Sequence, residues 1–296
     1  MIPFGFFTGI AFPATVFIIM VGMGLALTGA DFRLLGRAPR AVLVGLSAQL
    51  ILLPLLALAL ASLLPVDPLV KAGLVLMAAA PGGVTSNAIT LAARADVALA
   101  VALTALSSLL VCITLPFWSG LALDLFLARD GRMRLSPLEA GLSLALATVL
   151  PVMIGMAVRR FWPALALAVL ARFRMVAVGL ILFMCLTTTF YNLHHFTDLT
   201  VVMENVGAAA ALMLTAMVGA ALYARFWRLG VQQRLTITIE VGVHNIAVAL
   251  LAAFTLLGDP TVARLPLAYG LLMIIMPWFF VVAARRRMET DKESAS

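Results

Sequence analysis

Residues 71–93 read KAGLVLMAAAPGGVTSNAITLAA, and this stretch decides the fold. Nine uncharged residues, Ala72 to Ala80, lead into Pro81-Gly82-Gly83, and Thr85, Ser86 and Asn87 follow before apolar sequence resumes. Nine helical residues rise about 14 Å, roughly half the hydrocarbon thickness of a bilayer. Proline removes a donor there and the glycines tolerate unwound backbone. Ser86 and Asn87 are residue types that cap a restarting helix. Unwound backbone in lipid leaves polar groups without partners, so such a break survives only where it lines a polar cavity.

The sequence on either side supports a membrane reading. Of 296 residues, 64% are hydrophobic and 11% charged, and mean hydropathy is +1.14. A soluble domain of this size could not cover its surface with so few charges. Apolar runs predict nine spans at 7–28, 41–63, 71–93, 97–126, 138–158, 173–192, 200–223, 234–257 and 265–284. The first is expected to be a retained span, since no small-residue cleavage site follows it. The fold class is therefore all-α and polytopic, with one integral membrane domain over 1–296 and a short tail at 285–296. Cys112 and Cys185 both lie in apolar runs, and a disulfide between them is not expected.

Charge placement gives the orientation. With the N-terminus outside and the C-terminus cytoplasmic, 15 of the 20 basic residues fall at cytoplasmic ends, among them Arg37, Arg40, Arg94, Arg159, Arg160 and Arg285. The outside keeps Lys71, Arg129, Arg132, Arg134 and Arg264. The net charge of +7 is thus a topology signal for an inner (plasma) membrane protein and not a nucleic-acid surface. In the seventh span, Gly207, Ala211, Thr215 and Gly219 form a small-residue seam expected to pack against another helix.

The eighth span repeats the interruption of the third. It runs LTITIEVGVHN from Leu235 to Asn245 and then returns to apolar residues at Ile246. Of thirteen carboxylates, Glu240 alone sits well inside a span. An ionisable group at that depth is costly and marks an ion path unless it is a neutral acid hydrogen-bonded in a packed core. His244, one helical turn on, is either a further ligand or an internal partner for Glu240. Gln49, alone in the second span, supplies either another oxygen or a helix–helix hydrogen bond. Paired interruptions in two halves of a chain point to a carrier's binding site. The halves would be a first repeat of about 1–128 and a second of about 136–288, the first without its opening helix.

At these residues the chain resembles the bile acid:sodium symporter family. Three stretches carry the likeness: Arg37–Pro54 with Gln49, PGGVTSNAITLAARADVALAVALT from Pro81 to Thr104, and TIEVGVHN from Thr238 to Asn245. The resemblance implies an inverted repeat with panel and core domains, two broken helices crossing in the core, and nine helices where bacterial members commonly have ten. It implies two sodium sites. One would use Ser86, Asn87, Thr104 and Glu240, with Ala100 standing where the family has a serine. The other would use Gln49, Glu240 and the backbone oxygens of Val241 and Val243, with His244 in place of a glutamine. A methyl and an imidazole thus replace two hard-oxygen ligands, which leaves proton coupling, or a single sodium, open beside sodium symport. Thr85, Asn87 and Asn245, at the interruptions, are the candidate substrate contacts. The last span carries Ile-Met-Pro where the family has Trp-His-Asn, so substrate identity does not carry over.

The expected function is secondary active transport of a small organic anion, bile-acid-like, carboxylate or sulfonate, in symport with sodium. Half-helix N-termini and a bound cation both favour an anionic substrate. The expected partners are that substrate and the lipid bilayer, with no nucleic acid and no obligatory protein. An arsenite exporter would need a cysteine in a broken helix, and neither Cys112 nor Cys185 lies in one. An intramembrane enzyme using Glu240 and His244 lacks the usual companion motifs, and no catalytic residue is assigned. A sensor would need an output domain, and a channel would need a ring of charges.

Overall fold

The computed structural model of the protein describes residues 7–29, 31, 34–127, 136–191, 198–257 and 260–293. Among them the chain is helical throughout, with no strand. A π-helical turn, Phe7–Ala11, leads into α1 (Phe12–Ala26), and α2 (Pro39–Leu63) follows. The broken third segment is α3 (Pro68–Ala79) and α4 (Val84–Ala92), and α5 (Val97–Phe126) returns from it. The second part comprises α6 (Leu138–Phe161), α7 (Pro163–Tyr191) and α8 (Leu199–Phe226). It closes with α9 (Val231–Gly242), α10 (Ile246–Ala252) and α11 (Arg264–Glu293).

Six of these helices are long and apolar enough to cross a membrane, or seven if the bent α7 is counted as one span. The expected third and eighth spans are instead pairs of short helices, as the interruptions predicted. Helix starts follow local chemistry. Asp67, Asp96 and Asp198 each accept a backbone N–H just inside α3, α5 and α8. Ser136 and Glu139 make a capping box ahead of α6. Arg94 and Arg228 close α4 and α8 in left-handed conformations, φ 57° and 54°, with Ala95 and Leu229 N–H groups reaching back to Thr90 and Ala224 carbonyls.

The structure revises two expectations and adds detail to a third. The sixth span was expected from 173, but α7 begins at Pro163 and bends by 50° between Leu170 and Met175. Arg172 and Arg174 lie inside this helix. The tail from 285 to 293 continues α11 as helix. The seam in α8 also shifts: its buried face is Ala208, Leu212, Ala216 and Ala220, while Gly207 has open space around it. Residue 33, residues 129, 132 and 134, and His194 and His195 lie outside the described residues.

Packing is tight where glycines meet. A Cβ on Gly24 of α1 would lie 2.2 Å from Val152 O of α6, and one on Gly155 would lie 2.2 Å from Val21 O. These backbones touch as only glycine allows. Large apolar side chains such as Leu43, Ile51, Ile113, Phe117 and Leu186 face outward along the long helices. Exposed apolar rows of this kind fit a lipid surrounding.

Candidate functional site

The two breaks are bonded to each other. Asn245 N–H donates to Pro81 O at 2.9 Å, and Gly82 and His244 form an antiparallel bridge. The backbone groups that each helix loses at its interruption are thus supplied in part by the other interruption, which is how non-helical chain persists inside the fold. Gly82 N–H is further held by Ser107 Oγ of α5 at 3.4 Å. The capping differs from expectation at one break. Gly83, not Ser86 or Asn87, is the N-cap of α4, and the Ser86 hydroxyl donates to Gly83 O at 2.6 Å. At the other break Asn245 caps α10, its Oδ1 accepting from Val248 N–H at 3.4 Å.

Glu240 stands in the last turn of α9 and is fully buried. Thr236, one turn earlier, exchanges hydrogen bonds with the Asp96 backbone at the start of α5, which fixes α9 against α5. From α5, Thr104 Oγ1 donates to Glu240 Oε2 at 2.8 Å, and Ser86 also faces this carboxyl. Gln49 arrives from α2 on a π-helical turn, Ala48–Leu52, an irregularity frequent at functional positions. The Leu50 carbonyl in that turn accepts from Trp118 Nε1 at 2.9 Å. The three side chains close around Gly82: a Cβ there would lie 2.6 Å from Glu240 Oε2, 3.3 Å from Thr104 Oγ1 and 3.4 Å from Gln49 Nε2.

Several buried polar atoms at this junction have no hydrogen-bond partner: Glu240 Oε1, both side-chain atoms of Gln49, Asn87 Oδ1 and His244 Nε2. Each such atom costs about 1–3 kcal/mol unless something else meets it. Three of them are hard oxygens carrying full or partial negative charge, the donor set that suits a small hard cation. Ala100 is fully buried and, as a methyl side chain, adds no oxygen. Val241 and Val243 flank Gly242 where α9 ends and its last carbonyls run out of helical partners.

His244 does not partner Glu240. Its Nδ1 lies 3.4 Å from Tyr269 Oη, and the two rings meet edge to face. Tyr269 in turn donates to Gly242 O at 2.9 Å. Tyr269 escaped the sequence reading, although a lone phenol in an apolar span is a polar group that needs a partner.

On the far side of the junction lies a cavity of about 570 Å³, bounded by both breaks and by α7, α8 and α11. Thr85, His244 and Asn245 line it, and Asn87 does not. Its walls are otherwise mostly apolar, with Ile181, Val202, Leu267 and Met273 as examples. Thr189, Asn205 and Arg264, which were not singled out from the sequence, contribute polar groups. The volume is in the range of small-molecule sites, roughly 300–1,000 Å³.

Comparison with known proteins identifies the family. The model of the Sodium Bile acid symporter family matches residues 13–198. The chain is 35% identical over 158 residues to "Uncharacterized sodium-dependent transporter YocS" of Bacillus subtilis, covering 53% of this chain and 47% of that protein. It is 30% identical over 246 residues to "Probable sodium/metabolite cotransporter BASS1, chloroplastic" of Arabidopsis thaliana, covering 83% of this chain and 59% of the relative. A rice protein, "Probable sodium/metabolite cotransporter BASS2, chloroplastic", is 27% identical over 254 residues, covering 83% and 57%. The matched regions span about half the length of these relatives.

Proposed function

The chain belongs to the sodium bile acid symporter family, and on that premise we propose that it is a secondary active carrier moving a small organic anion together with sodium by alternating access. The reading rests on one observation above others. Unpartnered oxygens of Glu240, Gln49 and Asn87 are buried at the bonded junction of two broken helices, beside an apolar cavity. In this reading a sodium ion entering the junction is held by Glu240 with Thr104, Ser86 and Asn87, and Gln49 with the Val241 and Val243 carbonyls completes the cation's surroundings. The ion draws the ends of α9 and α4 together with α5 and α2. Substrate then binds in the adjoining cavity against Thr85 and Asn245. The two ligands stabilise the same arrangement of the breaks, so each raises the affinity for the other.

The proposal extends to the architecture: nine crossings, an N-terminus outside, and two inverted repeats of about 1–128 and 136–288 forming panel and core. A related reading concerns stoichiometry. Ala100 is buried where a hydroxyl would be needed, and His244 is turned to Tyr269. Glu240, Thr104 and Gln49 gather around Gly82, which favours one sodium per cycle over two.

The test is a thermal-shift titration of purified wild type and Glu240→Gln with sodium, with potassium as control, followed by sodium-driven accumulation in proteoliposomes. Stabilisation by sodium alone, absent in the variant, supports the reading through mass-action linkage. Indifference to sodium together with accumulation driven by a pH gradient would replace sodium with protons.

A further inference from the structure

We propose that Arg264 is the anion anchor of the cavity, the side chain that sets its preference for an anionic ligand over a neutral one of the same shape. This rests on reading the cavity as the carrier's substrate site. Arg264 is the first residue of α11 and follows a 3-10 turn, Pro260–Ala263. Among the described residues lining the cavity it is the one permanently charged side chain. It is half-buried, and its Nε donates to Thr261 O at 2.9 Å. That bond fixes the plane of the guanidinium and leaves the two Nη groups to meet a second acceptor. Its neighbour Leu265 packs where a Cβ on Gly73 of α3 would lie 3.2 Å away, so the start of α11 is held against the rest of the fold.

A cation at the edge of an apolar cavity is poorly solvated and gains most from an anion that brings its own apolar body. The guanidinium fork matches the two oxygens of a carboxylate or sulfonate. Thr189 and Asn205 also line the cavity and can complete the contacts to the head group. Apart from Thr85, His244 and Asn245 the remaining walls are apolar, and among the described lining residues a second anionic group would find no second permanent cation. The sequence alone assigned Arg264 only to the outer end of a span. Helix packing brings it to the same cavity as Thr85 and Asn245.

The chain supplies its own reporter, because Cys185 lines the cavity and Cys112 does not. In a Cys112→Ala background in nanodiscs, Cys185 would be labelled with a small methanethiosulfonate in the presence of cholate or its neutral carboxamide. The expected result is protection by cholate at about tenfold lower concentration than by the amide, as a charge-assisted pair of hydrogen bonds implies. Arg264→Gln should erase that difference by weakening cholate alone, with protection by the amide unchanged. A merely structural arginine would weaken both probes alike. An undiminished preference in Arg264→Gln overturns the anchor while leaving the cavity as the site. Protection by neither probe overturns the cavity reading itself. If Arg264→Gln yields no folded protein, Arg264→Lys carries the test. A severalfold smaller preference supports the fork, and an unchanged one refutes it.

Discussion

Gly82→Ala is the smallest change that tests the proposed cation site, because it adds one methyl to the space the candidate ligands share. The added carbon would sit 2.6 Å from Glu240 Oε2, well inside van der Waals contact. To reach ordinary contact the carboxylate must retreat by roughly 0.9 Å, given an optimal separation near 3.5 Å. A retreat directly away from that carbon stretches the Thr104–Glu240 bond from 2.8 Å to about 3.2 Å and weakens it. Overpacking a tight interior costs about 1–3 kcal/mol, and weakening a hydrogen bond to a carboxylate adds to that. These terms overlap, so a destabilisation of about 2–4 kcal/mol is expected. The sharper readout is the cation response. Wild type at a hundredfold excess of sodium over its dissociation constant should gain about 2.7 kcal/mol. Gly82→Ala should gain almost none, because the displaced carboxylate no longer faces Gln49 and Thr104. The assay is thermal unfolding in detergent from zero sodium to saturation, with potassium holding ionic strength constant. Gly207→Ala is the control, since nothing lies within 4 Å of a Cβ there. A Gly82→Ala protein with the wild-type melting temperature and the wild-type sodium response would refute the proposed convergence around Gly82.

Other changes probe the surroundings. Thr104→Val removes the donor to Glu240 Oε2 and should lower stability by about 1–3 kcal/mol while shifting the sodium titration to higher concentration; an unaltered titration would exclude Thr104 from the site. Ala100→Ser restores the hydroxyl that the family ligand set calls for and should raise apparent sodium affinity in the same assay. No gain would mean that the family's ligand pattern does not transfer to this position. Tyr269→Phe leaves Gly242 O without its donor and should cost about 1 kcal/mol in melting experiments with the sodium response retained. A lost response at unchanged stability would instead make Tyr269 part of the ion site. Gly155→Ala places a methyl 2.2 Å from Val21 O and 2.7 Å from Leu25 N, so α1 and α6 must part. Its yield of monodisperse protein should fall sharply, and a wild-type yield and melting temperature would show the crossing to be looser than described.

What the sequence made legible was local. Pro81-Gly82-Gly83 and the polar run ending at Asn245 interrupt apolar stretches, and both interruptions became breaks. The lone buried carboxylate was found because a charge among apolar residues needs no tertiary knowledge to be conspicuous. Bonds between elements far apart in the chain were not legible. The Asn245–Pro81 hydrogen bond joins residues from opposite halves, and no spacing rule announces it. For the same reason His244 was weighed as a partner of Glu240, its neighbour along a helix, when its ring meets Tyr269 of α11. The early start of α7 was hidden by Arg172 and Arg174, whose charges suggest a span's end. The seam in α8 holds at Gly219, where a Cβ would lie 2.8 Å from Leu56 Cδ1, and not at Gly207, because regular spacing of small residues permits close packing without saying where a neighbour arrives.

The unpartnered atoms at the junction carry more weight once the rest of the chain is considered. Hydroxyls inside these helices are commonly satisfied by their own backbone: Thr15 donates to Ala11 O, Thr148 to Leu144 O, Thr238 to Arg234 O and Thr255 to Leu251 O. Back-bonding of this kind is available to serine and threonine in any helix. Ser108 and Ser119 are buried without a partner, but a hydroxyl is small and its rotation is nearly free. A glutamine amide and a carboxylate have no comparable escape within their own helices. Their desolvation is larger, and in Gln49 neither end of the amide is met. A buried structural glutamate would be expected to have both oxygens occupied by donors. Glu240 has one oxygen met by Thr104 and the other left over, facing the same Gly82 as an unpartnered amide. Several such groups together cost an amount comparable to a sizeable part of a domain's net stability. On the proposed reading, a cation held by the oxygens of Glu240, Gln49 and Asn87 would remove their share of that cost, which a purely packed core does not. The same deficit would then give the proposed carrier its coupling, because the ion would stabilise one arrangement of the junction.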